Sequence, residues 1–127
     1  MSTLRYLLDT NLCIYLLSGR SPELVQRVAD QPSGSLGLSA ITLGEIMVGG
    51  GPEAAASKEL ASMIHELPVM PFDDAAAKAY GALPFRRGSF DRLIAAHALS
   101  LGLALVTNNE RDFKDVPNLR IENWTLP

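Results

Sequence analysis

Four acidic residues of this sequence stand in segments that could bring them to one metal ion. Asp9 directly follows the apolar run Tyr6-Leu7-Leu8, which predicts a carboxylate at the carboxyl end of a buried strand. In open α/β sheets, ligands bind in the crevice outside that edge. The other three acids are Glu45, Asp91 and Asp112, and each lies in a segment that could reach the same edge.

Grouped carboxylates favour a particular chemistry. Carboxylates within a few ångströms of one another repel, so some must take up protons or bind a cation. Oxygen ligands suit Mg²⁺ and Mn²⁺, and Mg²⁺ usually binds through one or two carboxylates together with water and substrate phosphate. Such ions activate water and stabilise the leaving oxygen when a phosphodiester is hydrolysed. The acids are therefore typical of a metal-dependent phosphodiester hydrolase.

Two of the acids could instead cap helices. Asp is a common N-cap residue, and both Asp9 and Asp91 lie where a predicted helix begins. Asn11 is better placed to cap the first helix, and we expect it to do so, which leaves Asp9 for function. Ser89 competes with Asp91 in the same way.

The other two acids also have a structural alternative. A helical Glu usually faces solvent, but Glu45 has small and apolar neighbours, where an acid either loses hydration or finds a cation. Asp112 follows Thr107-Asn108-Asn109 at the end of an apolar strand, so two strand ends present polar oxygen ligands. Asp112 could equally be a surface charge of its loop, as could Glu110.

The remaining reactive side chains do not offer a competing chemistry. His97 is predicted to be a packed helix residue and Cys13 a core residue, and no Ser-His-Asp order or Gly-rich phosphate loop is present. Arg86 and Arg87 precede Asp91 in a short basic connector. They could steer phosphate with their planar guanidinium groups, or they could simply be solvated.

The elements that must position these residues alternate between strand and helix signals, which is typical of a βα-repeating parallel sheet. Gly and Pro at positions 49–52 are expected to end the third helix. The predicted strands cover residues 4–8, 35–39, 69–71, 103–106 and 119–122. The predicted helices cover residues 11–18, 22–31, 41–48, a stretch ending near 66, 74–83 and 90–100.

Composition narrows the class of protein. The chain has 127 residues, 47% of them hydrophobic, which suits one domain over residues 1–127 and excludes a disordered chain. No apolar stretch approaches the roughly 18 residues of a membrane span, and no signal peptide is recognisable. With a single cysteine, we expect a cytoplasmic protein. The net charge of −3 argues against coating nucleic acid by bulk charge, but not against a nuclease whose metals attract phosphate.

Taken in order, these motifs resemble the PIN-domain ribonucleases, and among them the VapC-type toxins of type II toxin–antitoxin pairs. The resemblance covers essentially the whole chain, and five motifs in sequence carry it. They are Leu7-Leu8-Asp9-Thr10-Asn11, residues 39–49 around Glu45, residues 90–98 from Phe90-Asp91 to His97-Ala98, residues 105–113 with Thr107 and Asp112, and the closing residues 116–124.

The resemblance implies a three-layer α/β/α fold around a central parallel sheet and an endoribonuclease that uses Mg²⁺ or Mn²⁺. By position, Asp9, Glu45 and Asp91 match the three main acids of the family, and Asp112 matches a variable fourth. Asp9 and Asp91 would bind the metal, with Glu45 and Asp112 acting directly or through water. Asn11 and Thr107 match the family's supporting polar residues, and together with the four acids they form the implied site.

The resemblance also implies partners. The family cleaves RNA, mostly tRNA or a ribosomal RNA loop, and commonly forms homodimers that assemble with a VapB-type antitoxin into heterotetramers or larger complexes. The antitoxin covers the active site, and contact with DNA is made only through it. A membrane partner is not implied. Residues 80–91 look shorter than in many relatives, so the RNA target does not transfer with the family.

Two other interpretations stay open at this point, and a third is discounted. The first is a PIN-like module that binds RNA or protein without cutting, although retention of the full acid set argues against it. The second is an RNA-maturation nuclease without an antitoxin. The third is a phosphatase of the haloacid dehalogenase type, which needs a second Asp two positions after the first, where this chain has Asn11.

Overall fold

Five short strands pair in parallel to form the central sheet. A computed structural model describes residues 3–84 and 89–127. The strands are β1 (Tyr6–Leu8), β2 (Leu36–Ser39), β3 (Val69–Met70), β4 (Ala104–Val106) and β5 (Ile121–Glu122). They lie in the order β3-β2-β1-β4-β5, and every neighbouring pair is parallel. All five predicted strands are confirmed, and each is one or two residues shorter than predicted. β2 and β4 lose only their first residue.

In the described residues, six α-helices and one 3₁₀ helix connect the strands. The helices are α1 (Thr10–Ser18), α2 (Pro22–Ala29), α3 (Ala40–Ala55), α4 (Lys58–Glu66), α5 (Asp74–Gly81) and α6 (Phe90–Leu101), and the 3₁₀ helix covers Glu110–Phe113. Within the two described stretches, no helix is both long enough and apolar enough to cross a bilayer. The alternation of strands and helices confirms the predicted α/β class.

The two faces of the sheet bury two separate cores, which makes the fold a three-layer α/β/α sandwich. Leu8 of β1 packs on one face with residues of α1, α2 and α4, including the fully buried Leu12 and Leu24. Its neighbour Leu7 points to the opposite face and packs with Ile94 of α6. Because successive strand side chains point to opposite faces, a short run of apolar residues can serve both cores.

The first helix begins one residue earlier than the predicted cap. Asp9 has an extended backbone and accepts a hydrogen bond from the Leu12 amide, so Asp9 is the N-cap of α1. Thr10 is already helical, and Asn11 lies exposed in the first turn. The expectation that Asn11 caps this helix is therefore wrong.

Other helix boundaries follow local chemistry. Ser21 and Asp73 cap α2 and α5 through their side chains, as their sequences predict. The predicted break of the third helix is confirmed at Gly51, whose φ of 63° and ψ of −160° kink α3. Helical residues resume at Pro52, and a new cap at Ser57 starts α4, so the predicted long helix is divided in two.

A glycine in β2 gives a test of this packing. A Cβ added at Gly37 would lie 3.1 Å from the Pro68 carbonyl oxygen, which is held in the sheet because it accepts from the Leu38 amide. We expect Gly37→Ala to lower the free energy of unfolding by about 1–3 kcal/mol, the usual range for overpacking. Urea unfolding followed by the fluorescence of the buried Trp124 would measure this loss.

The matched control is Gly44→Ala in α3. A Cβ at Gly44 meets nothing within 4 Å, and alanine in a helix is favoured over glycine by roughly 0.5–1 kcal/mol. This variant should unfold at the same or a higher urea concentration than the wild-type protein. Equal destabilisation of the two variants would contradict the close approach of β2 to the Pro68 carbonyl.

Candidate active site

The site is built at the carboxyl edge of the sheet, where the chain changes direction between β1 and β4. After β1 the chain adds β2 and then β3 on one side, and β4 returns to the other side of β1. Such a reversal opens a crevice outside the strand ends. Leu8 pairs with Val106, and the Asp9 amide donates to the Val106 carbonyl at 3.0 Å. Asp9 and Thr107 therefore lie side by side at the crevice.

Asp9 is a buried carboxylate that also caps a helix. Only 4% of its surface is exposed, and its Oδ1 accepts from the Leu12 amide at 3.0 Å. The pKa of Asp9 is raised to about 6, mainly by burial and also by the negative charges of Asp91 and Glu45, while hydrogen bonds from Thr107 and Leu12 act in the opposite direction. Asp9 therefore caps α1 and also lies at the crevice, where its carboxylate is close enough to Asp91 and Glu45 to feel their charges.

Glu45 is brought to the same edge by α3, which starts where β2 ends. It is half-buried, and the Thr10 hydroxyl donates to its Oε1 at 2.7 Å. The Thr10 Oγ1 also lies 3.2 Å from Oγ1 of the buried Thr42. This hydroxyl pair holds the Glu45 side chain beside the start of α1, the helix that Asp9 caps.

Asp91 lies in the first turn of α6 and is half-buried. Ser89 is the N-cap residue of this helix, but its side chain makes no capping hydrogen bond. Burial raises the pKa of Asp91, and the charges of Asp112 and Glu45 raise it further, whereas the neighbouring Arg92 lowers it. Asp91 is therefore an acid that interacts with the other three acids of the predicted set.

Asp112 belongs to the 3₁₀ helix that follows β4. The Asn109 side-chain amide donates to its Oδ2. The Asn109 backbone amide donates to the Thr107 Oγ1 at 3.0 Å, so the loop after β4 is tied both to Asp112 and to the residue beside Asp9. The structure thus places Asp112 within electrostatic range of Asp91 rather than as an isolated loop charge.

The four acids interact in pairs rather than as one closed cage. Asp9 interacts with Asp91 and Glu45, and Asp91 interacts with Glu45 and Asp112. In residues 3–84 and 89–127, no three Asp, Glu, His or Cys side chains gather tightly enough to enclose a metal ion by themselves. A carboxylate pair at the edge of a crevice still suits Mg²⁺, which keeps several waters and takes substrate phosphate as a further ligand. The donors are oxygens of the kind that hard cations prefer.

One residue of the predicted site stands apart from this cluster, and two cannot be placed. Asn11 is exposed in the first turn of α1 and does not cap it. Arg86 and Arg87, predicted to contact substrate, lie outside the described residues. The predictions for Cys13 and His97 are confirmed, since both are fully buried, and the His97 Nδ1 lies 2.8 Å from the Ser39 Oγ.

Sequence reasoning missed the residues that hold the acids in place. In the sequence, Thr10 is only one residue of the first motif. In the structure its hydroxyl donates a hydrogen bond to Glu45, which lies 35 residues further along the chain. Asn109 binds Asp112, and its amide side chain two residues after a strand end was a usable signal. The bond from Thr10 left no such signal, because nothing in the sequence pairs residue 10 with residue 45.

The chain is similar to known proteins over nearly its whole length. The PIN domain pattern matches residues 6–119. The chain is 35% identical to the tRNA(fMet)-specific endonuclease VapC of Salmonella typhimurium, over 95% of this chain and 98% of that protein. It is 34% identical to ribonuclease VapC2 of Haemophilus influenzae, with the same coverage of 95% and 98%.

Solved structures show the same fold. The chain superposes on DNA-bound VapBC from Salmonella typhimurium with a TM-score of 0.81 and 34% identity, covering 95% of this chain and 98% of that one. VapBC2 from Rickettsia felis, bound to a DNA fragment from its promoter, gives a TM-score of 0.79 at 27% identity and covers 95% and 99%.

The buried Asp9 carboxylate predicts a stability that falls with pH. The pKa of Asp9 is raised from 3.8 to about 6 in the folded chain, so its ionisation costs nothing below pH 4 and its full cost is reached above pH 6. Asp9→Asn keeps an N-cap and removes this cost. We expect the metal-free variant to exceed the wild type in unfolding free energy by about 1–3 kcal/mol at pH 7.5, and by much less at pH 4.

Urea unfolding at both pH values, in the presence of a chelator, measures the difference. The exposed Asp30→Asn variant controls for the loss of one negative charge. A constant difference between Asp9→Asn and wild type across the pH range would contradict the burial of an ionising carboxylate at this position.

Proposed function

This chain belongs to the PIN-domain family and is a VapC-type endoribonuclease, the toxin of a VapBC pair, and we propose that Asp9, Glu45 and Asp91 are its catalytic acids. The observation that carries the proposal is the position of the buried Asp9 at the carboxyl edge of the sheet, with Glu45 held by Thr10 beside the helix that Asp9 caps. The charges of Asp91 and Glu45 both act on Asp9. We include Asp112 as the fourth acid because its charge acts on Asp91.

PIN nucleases in general depend on a divalent metal, and for this chain we propose Mg²⁺ or Mn²⁺. Asp9 and Asp91 would hold the ion, with Glu45 and Asp112 binding it directly or through water. When bound, the ion supplies a nucleophilic water at neutral pH and offsets the charge that develops on the phosphate and on the leaving oxygen.

The protein's own residues prepare this site in three ways. The Thr107 hydroxyl and the Leu12 amide fix the Asp9 carboxylate, which favours its ionised form against the effect of burial. Thr10 fixes Glu45 through a hydrogen bond of 2.7 Å. Rigid carboxylates arranged before substrate arrives lose little freedom when the phosphate binds, which is how positioning lowers a barrier.

We propose that the substrate is a structured RNA, either a tRNA or a ribosomal RNA loop. The Salmonella relative is named for cleavage of tRNA(fMet), and its similarity to this chain supports the first of these. Arg86 and Arg87 remain candidates for phosphate contact beside Asp91, since their guanidinium groups match phosphate oxygens in geometry. The reaction would take place in the cytoplasm, where these RNAs are found.

Substitution of single acids tests the catalytic assignment. We expect Asp9→Asn, Asp91→Asn and Glu45→Gln each to lower cleavage of tRNA by at least about 100-fold, because loss of outer-shell groups alone costs 10–100-fold at metal sites. The assay uses antitoxin-free protein, end-labelled tRNA and ribosomal RNA fragments, and added Mg²⁺ or Mn²⁺. Chelation should stop the wild-type reaction, and restored metal should restart it.

Asp30→Asn is the matched control, since it removes an exposed carboxylate at the end of α2, a helix that carries none of the four acids. It should cut at the wild-type rate. Unchanged cleavage by Asp9→Asn and Asp91→Asn would rule out the mechanism. RNA binding without cleavage under every metal condition would favour a silent binding module.

The antitoxin partner is supported by the solved relatives, which are VapBC complexes. We propose that the antitoxin of this chain covers the groove beside Glu45, which has a cavity volume of about 500 Å³. The groove is lined largely by apolar side chains, among them Ile41, and its rim exposes 87% of Val48 and 56% of Phe90. Exposed apolar surface of this kind marks an interaction site. We also propose a homodimer that assembles with its antitoxin into a heterotetramer or larger complex.

A polar substitution in this groove tests the docking site. Val48→Asn should raise the Kd for the antitoxin about tenfold, because burying a valine side chain contributes roughly 1.5 kcal/mol. The partner protein is the cognate VapB-type antitoxin, and calorimetry of the purified pair gives the affinity. Val25→Asn is the control, since Val25 is a partly exposed valine of α2 that does not line the groove. Equal weakening by both variants would contradict the assignment.

A further inference from the structure

An ion pair joins the segments that carry Asp91 and Asp112, and its arginine is buried whereas its carboxylate is partly exposed. Arg92 follows Asp91 in α6 and is 1% exposed. Its Nη2 donates to both Oδ1 and Oδ2 of Asp115, each at 2.6 Å. Asp115 lies just beyond the 3₁₀ helix Glu110–Phe113, which contains Asp112. The pair therefore ties the start of α6 to the chain that presents the fourth acid.

Stability alone does not account for this arginine. Removing a guanidinium group from water is costly, and because Asp115 is partly exposed, solvent weakens the attraction that would offset this cost. Within the described parts of the chain, the Arg92 Nη1 is buried without a hydrogen-bond partner, which adds to the cost. The nearby Phe113 and Val116 already pack on Ile94 and Ala95 of α6, so the 3₁₀ segment has an apolar attachment of its own.

We propose that Arg92 and Asp115 are a positioning pair that holds Asp112 beside Asp91, so that both acids can act on one divalent metal. The inference rests on the proposed function of the acids and assigns the pair a part in metal binding. The apolar contacts of Phe113 and Val116 fix the depth of the segment on α6. The charge-assisted contact of one guanidinium nitrogen with both oxygens of Asp115 adds a defined orientation.

Positioning and simple electrostatics predict opposite effects when Arg92 is removed. Arg92 is a positive charge next to Asp91, so its loss should by Coulomb's law strengthen the binding of a cation to the acids. The loss of Asp112 from its place should instead weaken that binding. The sign of the change in metal affinity therefore separates the two roles.

Calorimetric titration with Mn²⁺ measures the affinity without any requirement for catalysis. We expect Arg92→Met to raise the Kd for Mn²⁺ about tenfold, as is usual for residues that orient metal ligands. Methionine keeps much of the buried volume, and the Asp115 side chain is already 39% exposed to solvent. Arg27→Met is the matched control, because Arg27 forms an exposed ion pair with Glu122 of β5, and it should leave the Kd within twofold of wild type.

A double-mutant cycle with Asp112→Asn tests the route of the effect. If Arg92 acts by placing Asp112, Arg92→Met should have little further effect on the Kd once Asp112 is neutral. Tighter or unchanged Mn²⁺ binding by Arg92→Met would overturn the proposal, as would an undiminished tenfold loss in the Asp112→Asn background. Thermal melting confirms that each variant is folded. Arg92→Lys, which keeps the charge but not the planar fork, is the second variant and should weaken binding by about threefold or more.

The same titrations separate this inference from the proposed function. If the wild-type protein binds no Mn²⁺ and cuts no RNA, the proposed metal-dependent mechanism is itself wrong. If the wild type binds Mn²⁺ and cuts RNA while both Arg92 variants bind Mn²⁺ as tightly as wild type, only the positioning role is wrong.

Discussion

The parallel pairing of β1 with β4 is the constraint on which the site depends. The register that sets Leu8 beside Val106 also sets Asp9 beside Thr107, one residue beyond the end of each strand. The bond from the Asp9 amide to the Val106 carbonyl continues the ladder to the last residue before the crevice. A shift of one residue would turn Leu7 and Leu8 to the wrong cores and carry the carboxylate away from the crevice.

Burial of Asp9 follows from the same pairing, and it sets the energetics of the acids. A carboxylate at a fully buried strand end loses its hydration. Hydrogen bonds from the Leu12 amide and the Thr107 hydroxyl compensate for only part of this loss. The remaining cost appears as a raised pKa, and Glu45 and Asp91 add to it through their charges. A divalent cation would offset the lost hydration of Asp9 and its repulsion by Glu45 and Asp91. The buried negative charge that destabilises the metal-free protein is therefore the feature that favours metal binding.

The sequence predicted the strand ends well because apolar runs and the polar residues after them are local signals. It could not decide which residue of Asp9-Thr10-Asn11 caps α1, since Asp, Thr and Asn all serve as N-caps and only the backbone angles show that Thr10 is already helical. It also could not give the bonds that orient the acids. Thr10 to Glu45 spans 35 positions and Arg92 to Asp115 spans 23, and no periodicity connects such pairs.

The acids fall into two halves that are held by different means. Thr10 and Thr42 orient Glu45 on the side of β2 and α3, and these neutral hydroxyls add no charge to the crevice. On the side of α6 and the 3₁₀ helix, which carry Asp91 and Asp112, the contacts come from the Asn109 side-chain amide and from the buried, charged Arg92. The difference follows from the chain itself: Glu45 sits on a helix continuous with a central strand, whereas Asp112 sits on a short turn that has no sheet neighbour to fix it. A segment with so little regular structure needs a directional tie to keep its carboxylate in place, and an ion pair with defined geometry provides one.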